Sequence, residues 1–258
     1  MSLQGRVVFI TGGGRGIGRA VALAMAGAGA RVAVAARTEV QVEAVAAEVR
    51  ALGVDALALA CDVTSADAVG RAVGRTLEAL GPVDVLVNNA GIAESALLTR
   101  TDDALWARTI GVNLTGTFFC MRAVLPSMIA RGFGRIVNVA SIAAKVGFPY
   151  TAAYCASKHG VLGLTRAAAL EVATKGITVN AVCPGWVETD MTADSIARIV
   201  EKTGRPAADA RLSLERMSPQ HRLIQPEEVA HIVLMLASDA AHGITGQAIN
   251  VDGGEVMA

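Results

Sequence analysis

VVFITGGGRGIG, running from Val7 to Gly18, decides how the rest of the chain is read. Four apolar residues, Val7 to Ile10, predict a short buried strand. Gly12, Gly16 and Gly18 then turn the chain into the alanine-rich run Arg19–Ala28, which has the composition of a helix. Such a junction leaves the first amides of the helix pointing outward without partners, and glycine lets a pyrophosphate come close to them. The stretch therefore points to a dinucleotide site. A lone glycine-rich turn serves equally well as a plain turn. Its spacing, Thr11-Gly12-x-x-x-Gly16-x-Gly18, also departs from GxGxxG, so the remainder of the chain has to decide.

The 258 residues are 53% apolar and only 18% charged, with 23 basic and 23 acidic side chains. That balance predicts a compact fold with a sizeable core and gives no basic groove for nucleic acid. The longest apolar run, Ala20–Ala36, is interrupted by Gly27, Gly29 and Arg31, so no membrane span is expected. Arg6 is followed by four apolar residues before TGGG, too few for a secretory leader. Cys61, Cys120, Cys155 and Cys183 are far apart and form no CxxC or Cys/His pattern. They predict reduced core thiols in a cytoplasmic protein and no metal site.

Strand-like and helix-like stretches alternate along the chain. Strands are expected at Arg31–Ala36, Ala56–Ala60, Val83–Asn88, Gly134–Ala140, Ile177–Cys183 and Ala248–Val251. Helices are expected at Glu39–Leu52, Ala66–Leu80, Asp102–Arg131, Ala152–Thr174 and Pro226–Ala237. Apolar strands separated by helices belong to a parallel sheet covered on both faces. The fold class is α/β, doubly wound and Rossmann-like, with ligands at the carboxyl ends of the strands, and residues 1–258 are read as one domain. The polar, Arg- and Met-rich segment 188–225 falls outside this rhythm, and is either a lid over the site or a surface helical pair.

Tyr154-x-x-x-Lys158 sets a phenol and an ammonium one helical turn apart. Ser141 ends the fifth strand, Asn113 lies in the preceding helical region, and Asn88-Asn89-Ala90-Gly91 ends the fourth strand. Each of these has a plainer explanation taken alone: a lysine stem lying on a ring, a cap, a helix amide, a turn.

Taken together and in order, TGGGRGIG, CDV (Cys61–Val63), NNAG, Asn113, Ser141, YCASK (Tyr154–Lys158), PG (Pro184-Gly185) and DGG (Asp252–Gly254) resemble the short-chain dehydrogenase/reductase family over nearly the whole chain. The resemblance implies a sheet of about seven parallel strands and a catalytic tetrad of Asn113, Ser141, Tyr154 and Lys158. It assigns cofactor contacts to Ile17, Asp62, Val63, Asn89, Ala90, Gly91, Pro184, Gly185, Val187 and Thr189, beside the turn glycines Gly12, Gly16 and Gly18, with Tyr154 and Lys158 also beside the cofactor. Ser141, Tyr154 and Tyr150 would meet the substrate, and Asn113 would anchor a water that relays protons from Lys158. Tyr150 serves that role only if the helix starts early enough, and packing explains it equally well. A lysine charge about 4 Å from the phenol, at an effective dielectric near 20, favours phenolate by about 4 kcal/mol and would pull the pKa of Tyr154 down from near 10.

About 18 residues beyond Gly18, at the end of the second strand, an NAD enzyme carries an acid for the ribose 2′-hydroxyl. Here Ala36 stands there, followed by Arg37 and Thr38, and Arg15 in the glycine turn could close on the same group. A 2′-phosphate would meet donors and no repulsion, so NADP(H) is the expected cofactor, with NAD left open. Ile177–Met191 and Gln225–Ala230 are most similar to 3-oxoacyl-thioester reductases and polyketide ketoreductases, although segment 188–225 is longer than the lid of fatty-acid-synthesis reductases. The expected reaction is reduction of a 3-oxoacyl thioester or related ketone. The alternatives are a catabolic secondary-alcohol or 3-hydroxyacyl dehydrogenase and a non-catalytic cofactor sensor, against which the intact tetrad argues. Arg131 and Lys175 are candidates for meeting a carrier protein or coenzyme A, or are simply solvated charges. Relatives imply a homotetramer.

Overall fold

The computed structural model describes residues 1–257. Seven strands form one sheet: β1 (Val7–Thr11), β2 (Arg31–Ala36), β3 (Ala56–Ala60), β4 (Val85–Asn88), β5 (Gly134–Val139), β6 (Ile177–Pro184) and β7 (Ala248–Val251). Their order across the sheet is β3-β2-β1-β4-β5-β6-β7, and every neighbouring pair is parallel. The helices are α1 (Gly16–Gly27), α2 (Glu39–Ala51), α3 (Ala66–Leu80), α4 (Asp103–Ile110), α5 (Gly116–Arg131), α6 (Ala152–Val172), α7 (Asp190–Thr203), α8 (Ala207–Glu215) and α9 (Pro226–Ala237). This is the doubly wound α/β arrangement expected from the alternation.

Strand β1 shows why both faces are covered. Val8 and Ile10 belong to one core with Val21, Met25, Val42, Val233 and Leu236, from α1, α2 and α9. Val7 and Phe9 point the other way, into a second core with Ala72, Met121, Val124 and Met128 from α3 and α5. A strand buried on both sides has no polar face, which is why its sequence does not alternate. Strand order reverses between β1 and β4, so the crevice opens at the carboxyl ends of those two strands, where the glycine turn begins.

Most element limits agree with expectation to within a residue or two. The first helix starts three residues before the expected Arg19, at Gly16. The fourth strand begins at Val85, while Asp84 still donates its N–H to the Val7 carbonyl at 2.9 Å, so the ladder frays there without ending. Asp102–Arg131 is helical as expected but not uniformly α: a π-turn at Gly111–Thr115 separates α4 from α5. By length and composition Asp103–Arg131 could cross a membrane. Its Asn113, Thr117, Cys120, Met121, Val124 and Met128 are buried within the protein.

Segment 188–225 contains α7 and α8. Its ends are pinned together where Val187 pairs with Ile224; Glu188 donates its N–H to the Ile224 carbonyl at 2.9 Å, and Ile224 returns one to Trp186 at 2.9 Å. Arg211 of α8 reaches Glu215 at 2.8 Å and forms a forked ion pair with Glu188.

Candidate active site

A cavity of about 1150 Å³ lies over the carboxyl ends of the strands, between the glycine turn, the start of α6 and the helices α7 and α8. A shallower groove of about 490 Å³ beside α9 holds none of the expected residues.

The glycine turn forms one wall. Gly12, at φ +63°, could carry no side chain, because a Cβ there would lie 2.8 Å from the Ala90 Cα. A Cβ on Gly18 would lie 2.2 Å from the Gly12 carbonyl oxygen. Both glycines are therefore required by chain-on-chain packing, and Gly18 does not line the cavity, contrary to its expected cofactor contact. Gly12, Arg15, Gly16 and Ile17 do line it. Thr11 ties this turn to the end of β4: its hydroxyl accepts from the N–H groups of Asn89 at 3.0 Å and Ala90 at 3.1 Å. Asn89 completes the brace by donating to the carbonyls of Thr11 and Gly12 at 3.1 and 3.0 Å.

These residues fit a dinucleotide. Helix α1 begins at Gly16 with no side-chain cap and no acid in its first turn, leaving its leading amides and positive dipole end for an anion. Ala36, Arg37, Thr38, Asp62 and Val63 line the adjoining part of the cavity. Arg37 forms no ion pair within 4 Å among the described residues. The Asp62 carboxyl is held below the usual range, chiefly by the Thr64 N–H and hydroxyl at 2.9 and 2.8 Å and in small part by Arg37. Arg15 departs from expectation: it pairs at 3.0 Å with Asp190, the first residue of α7, and so spans the groove. Ala90, Gly91, Pro184, Gly185, Val187 and Thr189 complete the lining at the far end.

Ser141, Tyr154 and Lys158 face the same cavity. Ser141 leaves β5 in extended conformation, and its hydroxyl accepts from the Ala143 N–H at 3.1 Å, which fixes its orientation. It stands close enough to the Tyr154 hydroxyl to favour the phenolate. Lys158, one turn along α6, is buried and donates to the Val139 carbonyl at 2.9 Å, with its Nζ 5.7 Å from the centre of the Tyr154 ring. Burial lowers the Lys158 pKa to about 8. Burial also pushes the phenol of Tyr154 upward, and the nearby Ser141 hydroxyl opposes that. The expected pull toward neutrality is thus outweighed in the protein alone, because desolvating the phenolate is the larger effect.

Asn113 does not reach the cavity. It is buried in the π-turn, where its Oδ1 accepts from Ile92 N–H at 2.9 Å and its Nδ2 donates to the Ile92 carbonyl at 3.0 Å. Its Nδ2 also donates to the Ser157 hydroxyl at 3.0 Å, and Ser157 donates to the Tyr154 carbonyl at 2.7 Å. The amide therefore links the loop after β4 to the turn of α6 that carries Tyr154. Its side chain is fully engaged, so any water it anchors would need its main-chain carbonyl, which accepts from Thr117 Oγ1 at 2.9 Å. Ser157, fully buried, was not singled out in the sequence; its only signal is its position just before Lys158.

Tyr150 is not on α6, which begins at Ala152. It sits at the cavity rim at φ +66°, a conformation rare for a bulky residue, and is 60% exposed; Ala96 donates its N–H to the Tyr150 carbonyl at 2.8 Å. Trp186, Met191 and Arg198, also unread in the sequence, line the opposite wall. Arg131, a candidate for partner contacts, is tied down: it donates to Asp84 at 2.6 Å and to the Val83 carbonyl.

The short chain dehydrogenase family model matches residues 6–199. A 3-oxoacyl-[acyl-carrier-protein] reductase of Synechocystis is 43% identical over 258 residues, covering 99% of each chain. The structure of an actinorhodin polyketide ketoreductase variant with NADPH superposes with a TM-score of 0.96 at 41% identity, covering both chains completely. That of levodione reductase gives 0.93 at 32% identity, over 98% of each. With the motif order, the sheet and the Ser141–Tyr154–Lys158 wall in place, the chain belongs to the short-chain dehydrogenase/reductase family.

Proposed function

We propose that this chain is an NADPH-dependent ketoreductase whose substrate is a 3-oxoacyl thioester or a related ketone. The observation that carries the reading is the pair of hydroxyls, Ser141 and Tyr154, on one cavity wall with the Lys158 ammonium one turn behind. Ketone reduction needs a hydrogen-bond donor at the carbonyl oxygen and an acid that releases a proton as alkoxide forms. Ser141 orients the oxygen, Tyr154 supplies the proton, and the charge of Lys158 stabilises the phenolate that results. The nicotinamide, when bound, supplies the hydride. Arg37 and Thr38 would hold its 2′-phosphate, the leading amides of α1 its pyrophosphate, and the segment from Pro184 to Thr189 its carboxamide. Helices α7 and α8 act as the lid over the substrate end, within a single-domain chain.

The similarity to the Synechocystis 3-oxoacyl reductase over 99% of both chains supports the thioester reading. The likeness to levodione reductase favours a second one, a cyclic ketone. NADPH oxidation followed with acetoacetyl thioesters and a panel of cyclic ketones separates them. Replacing Tyr154 by Phe should lower turnover about 10²- to 10⁴-fold while leaving NADPH binding intact; substantial residual turnover would remove its assignment as the acid. The four free cysteines fit a cytoplasmic protein, and the assembly expected is a homotetramer, tested by light scattering against the 26.4 kDa chain mass.

A further inference from the structure

The cavity carries more positive charge than its chemistry requires. Its acids are committed: Asp62 to Thr64, Glu94 to Arg108 at 2.8 Å, and Asp190 to Arg15 at 3.0 Å. Arg100, Arg198 and Lys202 line the same cavity, and none has a carboxylate within 4 Å among the described residues. Arg198 and Lys202 lie one turn apart on α7, on the face that also presents Met191 and Ser195 to the cavity. Stacked like charges repel, so this helix is weakened by holding both on one side. Arg198 donates to Ser195 at 2.9 Å, and its Nε is buried without a partner. A buried guanidinium donor left unsatisfied is costly unless something else accepts from it.

The position of these cations gives a length. Thr189, which caps α7, lies against the glycine turn, with its Cγ2 3.2 Å from where a Gly16 Cβ would stand. At about 1.5 Å per residue, Arg198 is about 13 Å and Lys202 about 20 Å along the helix from that cofactor end. The wall between them includes Met191 and Ile199, and Trp186 faces the same cavity.

We propose that Arg198 and Lys202, with Arg100 lining the same cavity, form an anion subsite for a phosphate at the far end of an elongated substrate. The substrate class is a 3-oxoacyl thioester on a phosphorylated pantetheine arm, the chemistry shared by coenzyme A and a carrier protein. The subsite deepens the thioester reading above and rests on it. Guanidinium and ammonium groups together suit a phosphate, the former as a planar fork and the latter as a point charge.

The test compares acetoacetyl-CoA and acetoacetyl-4′-phosphopantetheine with uncharged acetoacetyl-N-acetylcysteamine, in wild type and in Arg198→Gln/Lys202→Gln. The kcat/KM ratio of each phosphorylated to uncharged thioester should fall about tenfold in the double variant, the loss of one charge-assisted hydrogen bond. An effect shared by both phosphorylated esters upholds the proposal; one confined to the coenzyme A ester places the anion site on its nucleotide phosphates and overturns it. An unchanged ratio, or equal loss on all three substrates, overturns the proposal. If wild type reduces no thioester, the thioester reading fails, and the subsite is tested by titrating 4′-phosphopantetheine into the NADP⁺ complex. Binding abolished by the double variant upholds the subsite, and absent binding overturns it.

Discussion

In the proposed reaction three side chains carry the chemistry, and two of them are set by burial. The Lys158 pKa is lowered from 10.5 to about 8, so its charge is present below that pH and lost above it. In the reducing direction kcat/KM should fall tenfold per pH unit above about 8, and a rate flat to pH 10 would show that Lys158 charge is not needed. The sign for stability is opposite: the fold favours neutral lysine, so Lys158 makes the protein more stable as pH rises from about 8 to 10.5. Glu255 behaves as an acid held neutral. Its Oε1 is buried without a partner, and burial, with Asp252 nearby, raises its pKa to about 7. The folded state then holds a proton that the unfolded chain releases above about 4.5, so stability falls as pH rises from 4.5 to 7 and levels off beyond. Glu255→Gln should flatten that slope in thermal melts at pH 5 and 8. The Tyr154–Lys158 pair and the Ala36–Arg37 step were legible in the sequence because a helical turn and a strand end are fixed distances. The engagement of Asn113 was not, since it depends on a π-turn that no hydrophobic period announces.

Among the elements, the strands and core helices were readable because each buries an apolar face against the sheet. Helices α7 and α8 were not resolved from segment 188–225. The inward face of α7 holds Thr192, Ser195 and Arg198, polar groups turned to a cavity, so core-type patterning does not apply. The glycines of the first turn were read as room for a phosphate, whereas at Gly12 and Gly18 the room is taken by the chain itself. Arg15–Asp190 joins α7 to that turn. An exposed pair of this kind is worth at most about 1 kcal/mol, but here it holds an arginine away from the 2′-phosphate for which the sequence put it forward. Asp190→Asn should raise the NADPH-to-NADH ratio of kcat/KM by about two- to fivefold; a lowered ratio would mean that the ion pair organises the site instead.

At the scale of the molecule, the wall that holds Ser141, Tyr154 and Lys158 depends on contacts made far beneath it. Asp84 at the foot of β4 accepts from Val7 N–H at 3.0 Å and from Arg131 at 2.6 Å, joining β1, β4 and the end of α5 at the pole opposite the cavity. Removing the arginine strands a largely buried carboxylate, so Arg131→Met should destabilise the fold by about 3 kcal/mol in urea titrations, with kcat of the remaining folded enzyme preserved. The closed neck at Val187 and Ile224 has a different consequence. Because both ends of the intervening residues leave the body side by side, added length there costs little loop-closure entropy. On the lid reading proposed above, the segment is a cassette: a relative's version grafted between those two positions should change the choice of substrate while the sheet, and the helix that carries Tyr154, stay as they are.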